Sequence, residues 1–196
     1  AGQALVQAAR ATLERSLARK DVPSVDLSRY PELTRAHGVF VTLRRRGQLR
    51  GCIGRIETDE PLTKTVPIVA MEAALHDTRF APVSAEELND IDVEVSVLTP
   101  PVKVESPRDV VAGRDGVVID HQGRRGVFLP QVWDETGWTR AEFLRELASQ
   151  KAGLPPDAWQ QATLSVFQDQ IFEEEPSFDF TQDGSLSEVE GEPFPP

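Results

Sequence analysis

The chain's one cysteine, Cys52, sits in the run Leu49-Arg50-Gly51-Cys52-Ile53-Gly54, flanked by two glycines and two positions after an arginine. The reactive form of cysteine is the thiolate, and a nearby cation or backbone N–H groups aimed at the sulfur favour it. Arg50 would supply the cation, and Gly51 and Gly54 let backbone approach closely. The chemistry would be covalent attack or thiol redox. The alternative is a small side chain packing a tight hairpin, because free cysteine is among the most buried residue types. The residues leave both readings open.

A carboxylate for proton transfer or for orienting a polar substrate would come from Glu94 or Asp77. Together with Cys52 and Arg50 these form the candidate catalytic set. Candidate substrate contacts are Gly51, Gly54, Thr42, Arg79 and His76. Arg50, Asp77, Arg79 and Glu94 read equally well as a salt-bridge network. A Cys–His pair needs an imidazole within hydrogen-bond reach. The candidates are His37, His76 and His121; the hairpin register sets His37 on the aliphatic face, and His76, next to Asp77, could approach. Its plainer role is a cation near a helix C-terminus. No ligand pair stands at zinc-site spacing, so a bound metal is not expected; no cofactor is expected either.

Arg44, Arg45, Arg46, Arg50 and Arg55 raise the question of RNA. Three of them occupy or flank a hairpin tip, and no aromatic-rich RNA-binding strand accompanies them. A solvated turn is the stronger reading, and nucleic acid is not the expected partner. Gly123-Arg124-Arg125-Gly126 lacks the following helix and lysine of a phosphate-binding loop and reads as a hairpin turn.

The elements that position these residues follow from periodicity. Leu5, Val6, Ala9, Leu13 and Leu17 give residues 3–19 one apolar helical face. Val39, Val41 and Leu43 alternate, as do Leu49, Gly51 and Ile53. A three-residue loop, Arg45-Arg46-Gly47, would pair Leu43 with Leu49, Val41 with Gly51 and Val39 with Ile53. That register puts Phe40, Thr42, Arg50 and Cys52 together on the face opposite the aliphatics. Residues 61–76 read as a helix with a small-residue face, and Ser84 with Glu87 as the capping box of a short third helix. Ile91, Val93, Val95 and Val97 form a strand with Glu94 pointing the other way. Two short strands follow, 116–120 and 126–129. Thr139 and Glu142 then cap a helix that runs to Lys151 and stops at Gly153. A last strand runs from Leu164 towards Phe172. Hairpins dominate and no Gly-rich strand-to-helix turn appears, which argues for an α+β fold.

With these segments in place, the chain resembles the AMMECR family, named for an Alport-syndrome chromosomal region. Its bacterial and archaeal members are called AmmeMemoRadiSam system protein A. The carriers are Gly38-Val39-Phe40-Val41-Thr42-Leu43, the Leu49–Gly54 run, Asp77-Thr78-Arg79-Phe80 and Glu94-Val95-Ser96-Val97-Leu98-Thr99-Pro100. They continue through Asp115-Gly116, Gly123, Gly126, Leu129-Pro130-Gln131-Val132, Gly137-Trp138, Phe143-Leu144, Lys151-Ala152-Gly153-Leu154 and Trp159. Thr78 departs from the proline usual in the Asp-Pro-Arg-Phe element, and an acidic tail is not a family feature. The resemblance implies an α+β fold with a mainly antiparallel sheet, covering helices, and two lobes with a cleft near the Leu-Arg-Gly-Cys-Ile-Gly motif. The family's activity is unsettled. Its prokaryotic name implies association with Memo-like proteins and radical-SAM enzymes.

Length and composition fit this assignment. At 196 residues the chain suits one domain, and the net charge of −11 is unevenly spread. Eight acidic residues and no Lys or Arg fall between Glu173 and Pro196, leaving −3 for residues 1–172. The expected organisation is therefore a two-lobed AMMECR-like domain over 1–172 and an acidic, flexible tail over 173–196. In the tail, Phe178, Phe180 and Phe194 offer a way to dock on the body or on a neighbour. No run approaches the ~20 apolar residues of a membrane span. A single cysteine excludes an internal disulfide and fits the cytoplasm. The chain starts at Ala1, which leaves its native N-terminus open. Two functions stand as expectations: an enzyme or enzyme-accessory protein with a candidate active-site Cys52, or a non-catalytic interaction module in which that motif is structural. An RNA-associated factor is the weaker third.

Overall fold

In a computed structural model the described residues are 1–174. Their regular elements, in order, are α1 (Gly2–Leu17), β1 (Val39–Arg45), β2 (Gln48–Arg55), α2 (Leu62–Leu75), β3 (Ile91–Leu98), β4 (Val102–Lys103), β5 (Gly116–His121), β6 (Arg124–Phe128), α3 (Val132–Thr136), α4 (Arg140–Glu146), β7 (Thr163–Phe167) and β8 (Asp169–Glu173). They form two four-stranded sheets, ordered β2-β1-β3-β8 and β4-β7-β5-β6, with antiparallel pairing. The α+β expectation holds. The chain divides into two compact units, one of residues 1–97 with those from 170 on, the other of residues 98–169. Among the described residues no helix is long and apolar enough to cross a membrane.

In the first unit the alternation along β1 and β3 sends Val39, Val41, Leu43, Val93, Val95 and Val97 into one core. Leu5, Ala9 and Leu13 of α1 and Val66, Val69, Ala70 and Ala73 of α2 join them there. The small residues of α2 have a definite purpose. A Cβ added to Gly51 in β2 would meet the Ala73 carbonyl oxygen at 2.3 Å, so strand and helix touch backbone to backbone. Ser84 and Glu87 do interact, the Ser84 N–H donating to Glu87 Oε2 at 3.0 Å, but the segment they introduce is a 3-10 turn, Glu86–Asp90, and not an α-helix.

The β1–β2 hairpin corrects the expected register. Leu43 pairs with Gly51, Val41 with Ile53 and Thr42 with Cys52. The loop is two residues, Arg46-Gly47, with φ of 52° and 78°, the type I′ geometry whose twist matches the strands. A β-bulge falls where Leu43 opposes Gly51 but Arg44 opposes Leu49, so Arg50 is the extra residue. Because the shift from the expected pairing is two residues, each side chain from Gly51 on keeps its face. Leu49 and Arg50 leave the expected alternation: Leu49 opposes Arg44 and is exposed instead of joining Leu43 on the aliphatic face, and Arg50, inside the bulge, is no longer set beside Cys52.

The second unit builds its core from Val117, Ile119, Phe128, Trp133, Phe143, Leu144, Leu147 and Leu164. The Trp133 and Phe143 rings stack with centroids 3.7 Å apart, and Trp133 Nε1 donates to the Asp115 carbonyl oxygen at 2.8 Å. Thr139 and Glu142 form the expected capping box, and after α4 the coil widens into a π turn, Leu147–Lys151, before Gly153 at φ 61°. The expected single last strand is two. Gln168 separates β7, in the second sheet, from β8, in the first.

The acidic tail lies outside the described residues from residue 175 on, as do Phe178, Phe180 and Phe194. Its first two residues are placed: Glu173 ends β8, and the Glu174 carboxylate receives the Arg10 guanidinium and the Val93 N–H.

Candidate functional site

β2 is an edge strand, so its outward backbone groups need partners from outside the sheet. At Cys52 both are supplied by one short segment. The Cys52 N–H donates to Asp77 Oδ2 at 2.9 Å, and Arg79 Nη2 donates to the Cys52 carbonyl oxygen at 3.2 Å. Asp77 also holds Arg79. Its Oδ1 accepts the Arg79 N–H at 3.2 Å and Nε at 2.9 Å, and Oδ2 accepts Nη2 at 2.7 Å. This is an Asx turn closed by a bidentate ion pair. Asp77 is buried, and Arg79 is half exposed with its guanidinium 5.5 Å from the Phe80 ring centroid. The Arg79 guanidinium holds the Asp77 carboxyl at about 2.

Because the Cys52 N–H and C=O point away from β1, Thr42 and Cys52 face each other as a close, non-hydrogen-bonded pair. The Thr42 hydroxyl lies 3.3 Å from Cys52 Sγ and donates to it. Burial pushes the thiol up from its ordinary range. The Thr42 hydroxyl and the Arg79 charge pull it back, while Glu94 and Asp77 add to the rise. Half-buried Cys52 is therefore held towards the neutral thiol.

The other candidates are placed as follows. Glu94 opposes Thr42 from β3, two strand spacings or ~9.5 Å from Cys52 at the backbone. Its carboxylate pairs with Arg44 at 3.4 Å. Arg50 is turned to Glu87, with Nε to Oε1 and Nη2 to Oε2 both at 3.0 Å, and Nη1 donates to the Ala81 carbonyl oxygen at 2.9 Å. His76 is exposed at the end of α2, where its N–H reaches the Glu72 carbonyl at 2.8 Å. A Cβ on Gly54 would fall 2.2 Å from Phe40 Cγ, so the Phe40 ring lies across the glycine opposite it. Cys52, Thr42, Asp77 and Arg79 are thus brought together, while Arg50 is drawn to Glu87.

The roles of two residues at the site escaped the sequence reading. Glu87, read only as a capping residue, anchors both Arg50 and Arg45, and Phe40 covers Gly54. The arginines at and beside the tip are each matched to acid, Arg44 to Glu94, Arg45 to Glu87 and Asp90, and Arg46 to Asp90, and at the far end of the hairpin Arg55 pairs with Glu72. Among the described residues no three His, Cys, Asp or Glu side chains gather as a metal would require.

Comparison with known proteins covers nearly the whole described chain. The profile of the AMMECR1 family matches residues 6–172. A protein of Methanothermobacter thermautotrophicus is 44% identical over 189 residues, spanning 89% of this chain and 94% of its own. One of Pyrococcus furiosus is 44% identical over 188 residues, spanning 89% and 88%. The crystal structure of an uncharacterized protein from Pyrococcus horikoshii superposes with a TM-score of 0.80 at 41% identity, covering 89% of this chain and 91% of that one.

Proposed function

Since the chain belongs to the AMMECR1 family, we propose that it serves as a protein-interaction module, accessory to Memo-like and radical-SAM partners, in which the Leu49–Gly54 run is a structural clasp. The observation that carries this reading is the use made of Asp77. The carboxylate nearest Cys52 is spent on the Cys52 N–H, the Arg79 N–H and the Arg79 guanidinium. A group so occupied, and held ionised at about 2, is a poor proton acceptor near neutral pH. Arg50, the cation beside the cysteine in sequence, spends its bidentate face on Glu87. The partners are those the family's prokaryotic name implies.

A catalytic reading, with Cys52 as nucleophile and Glu94 or Asp77 as carboxylate, draws on one observation. The Arg79 charge and the Thr42 hydroxyl both favour the thiolate against burial. Alkylation of the single thiol as a function of pH, read by intact mass, separates the two. The clasp predicts slow labelling with a midpoint above the free-thiol ~8.5, and unchanged capture of the Memo-like and radical-SAM proteins by Cys52→Ala. A midpoint well below ~8.5 with fast labelling defeats the clasp in favour of the nucleophile. Failure of the native chain to capture either protein defeats the proposed partnership.

A further inference from the structure

The β5–β6 turn, Gln122-Gly123, has φ of 52° and 77°, a type I′ connection that sets His121 opposite Arg124. Alternation carries Val117, Ile119 and then His121 on one face of the hairpin, with Phe128, Gly126 and Arg124 as their cross-strand partners. Val117, Ile119 and Phe128 are core residues, so this is the face covered by the helical segments. An aliphatic pair at its end would extend the core. The chain places an imidazole and a guanidinium there, at a cavity of about 840 Å³.

The groove is lined besides by Leu154, Pro155 and Ala158 and by the exposed Gln122, Asp157 and Gln161. Leu154 and Ala158 are continuous with the core beneath. Arg124 Nη1 donates to the Gly153 carbonyl oxygen, which anchors the guanidinium at the groove. Asp157 is largely exposed and lies 3.8 Å from Arg145, a cation that offsets its charge. Three apolar and five polar or charged residues line this open groove, and its volume is enough to admit a small molecule.

We propose that this groove binds a small acidic ligand with an apolar body, its carboxylate on Arg124 and His121 and its body on Leu154, Pro155 and Ala158. The guanidinium offers parallel N–H donors that match a carboxylate, and the imidazole offers one more. The apolar wall excludes a bare anion as the best ligand, since nothing in inorganic phosphate would cover it.

Sodium benzoate is the probe, titrated into the isotope-labelled full chain at constant ionic strength, with benzyl alcohol and inorganic phosphate as comparators. The expected result is a set of amide shifts confined to 121–124 and 154–161, with benzyl alcohol and phosphate each about tenfold weaker or more. Arg124→Gln should weaken benzoate by about tenfold. Ala158→Glu, which leaves the Arg124–Gly153 contact in place, should abolish binding and decides the matter if Arg124→Gln does not fold. Equal binding of benzoate and benzyl alcohol, equal binding of benzoate and phosphate, unchanged affinity in folded Arg124→Gln, or shifts absent from these residues would each overturn the proposal.

Discussion

The Cys52 backbone N–H donates to Asp77 Oδ2 at 2.9 Å, and the arginine held by that carboxylate returns a bond to the Cys52 carbonyl at 3.2 Å. Asp77 and Arg79 thus do for edge strand β2 what a further strand would do, satisfying both outward groups of one residue with two side chains. This closes the edge locally against pairing with another chain. Thr42 is the cross-strand partner of Cys52 in the β1–β2 ladder, which brings Sγ within 3.3 Å of the Thr42 hydroxyl.

Removing the carboxylate should therefore cost stability. Asp77→Ala leaves the Cys52 N–H without its acceptor and should lose about 2–3 kcal/mol. Asp77→Asn keeps an acceptor for that N–H but not the ion pair, and should lose less. Urea unfolding of the three proteins checks the order, and an Asp77→Ala protein as stable as the parent would remove Asp77 from the clasp.

Acid should expose the same bond. The Asp77 carboxyl sits at about 2 in the folded chain against 3.8 for the free side chain, because Arg79 binds its ionised form. A lowered folded value means that the stabilisation is complete above about pH 4 and is lost as pH falls through about 2. Its size is about 2 kcal/mol, Asp77 being buried. Between about pH 4 and pH 2 the parent should lose that much more stability than Asp77→Asn, whose amide does not titrate.

Much of this was legible in the sequence, and the limits have physical causes. Alternation in β1, β2 and β3 revealed which side chains share a face, because a period of two survives a two-residue slip. The same insensitivity hid the true register, since a three-residue loop and a two-residue loop with a bulge sort every residue from Gly51 on identically and differ only at Leu49 and Arg50, Leu49 opposing Arg44 and standing exposed. The partner of Arg50 was hidden for that reason: Glu87 lies 37 residues away, and only the bulge turns the arginine towards it. The break at Gln168 was equally silent, because no Gly or Pro separates Leu164, Val166 and Phe167 from Ile171 and Phe172, although β7 and β8 enter different sheets.

The two glycines that frame Cys52 should be far less replaceable than the glycine at the hairpin tip. Gly51→Ala would drive a methyl to 2.3 Å from the Ala73 carbonyl oxygen, a backbone atom of a packed helix, and should cost about 3 kcal/mol. Gly54→Ala meets the Phe40 ring at 2.2 Å and the Val39 carbonyl oxygen at 2.5 Å, and should cost a similar amount. Gly47→Ala meets nothing within 4 Å and bears only the strain of φ 78°, about 1 kcal/mol. Thermal unfolding of the three variants would rank them, and a Gly47→Ala protein less stable than Gly51→Ala would contradict the close packing of β2 on α2.

Arg50 and Arg79 should separate by their effects on the thiol. Both lie near Cys52 in sequence or in space, but the Arg50 guanidinium is turned to Glu87, while the Arg79 charge acts on Cys52 directly. Arg50→Ala should lose about 1–2 kcal/mol by freeing Glu87 and the Ala81 carbonyl, and a double-mutant cycle with Glu87→Ala should recover most of it as coupling. It should leave the pH midpoint of Cys52 alkylation where it was. Arg79→Ala removes a charge that favours the thiolate, so the midpoint should move up. If Arg50→Ala raised the midpoint and Arg79→Ala did not, the cation that controls this cysteine would be the one beside it in sequence, and the clasp assigned to Arg50 would be wrong.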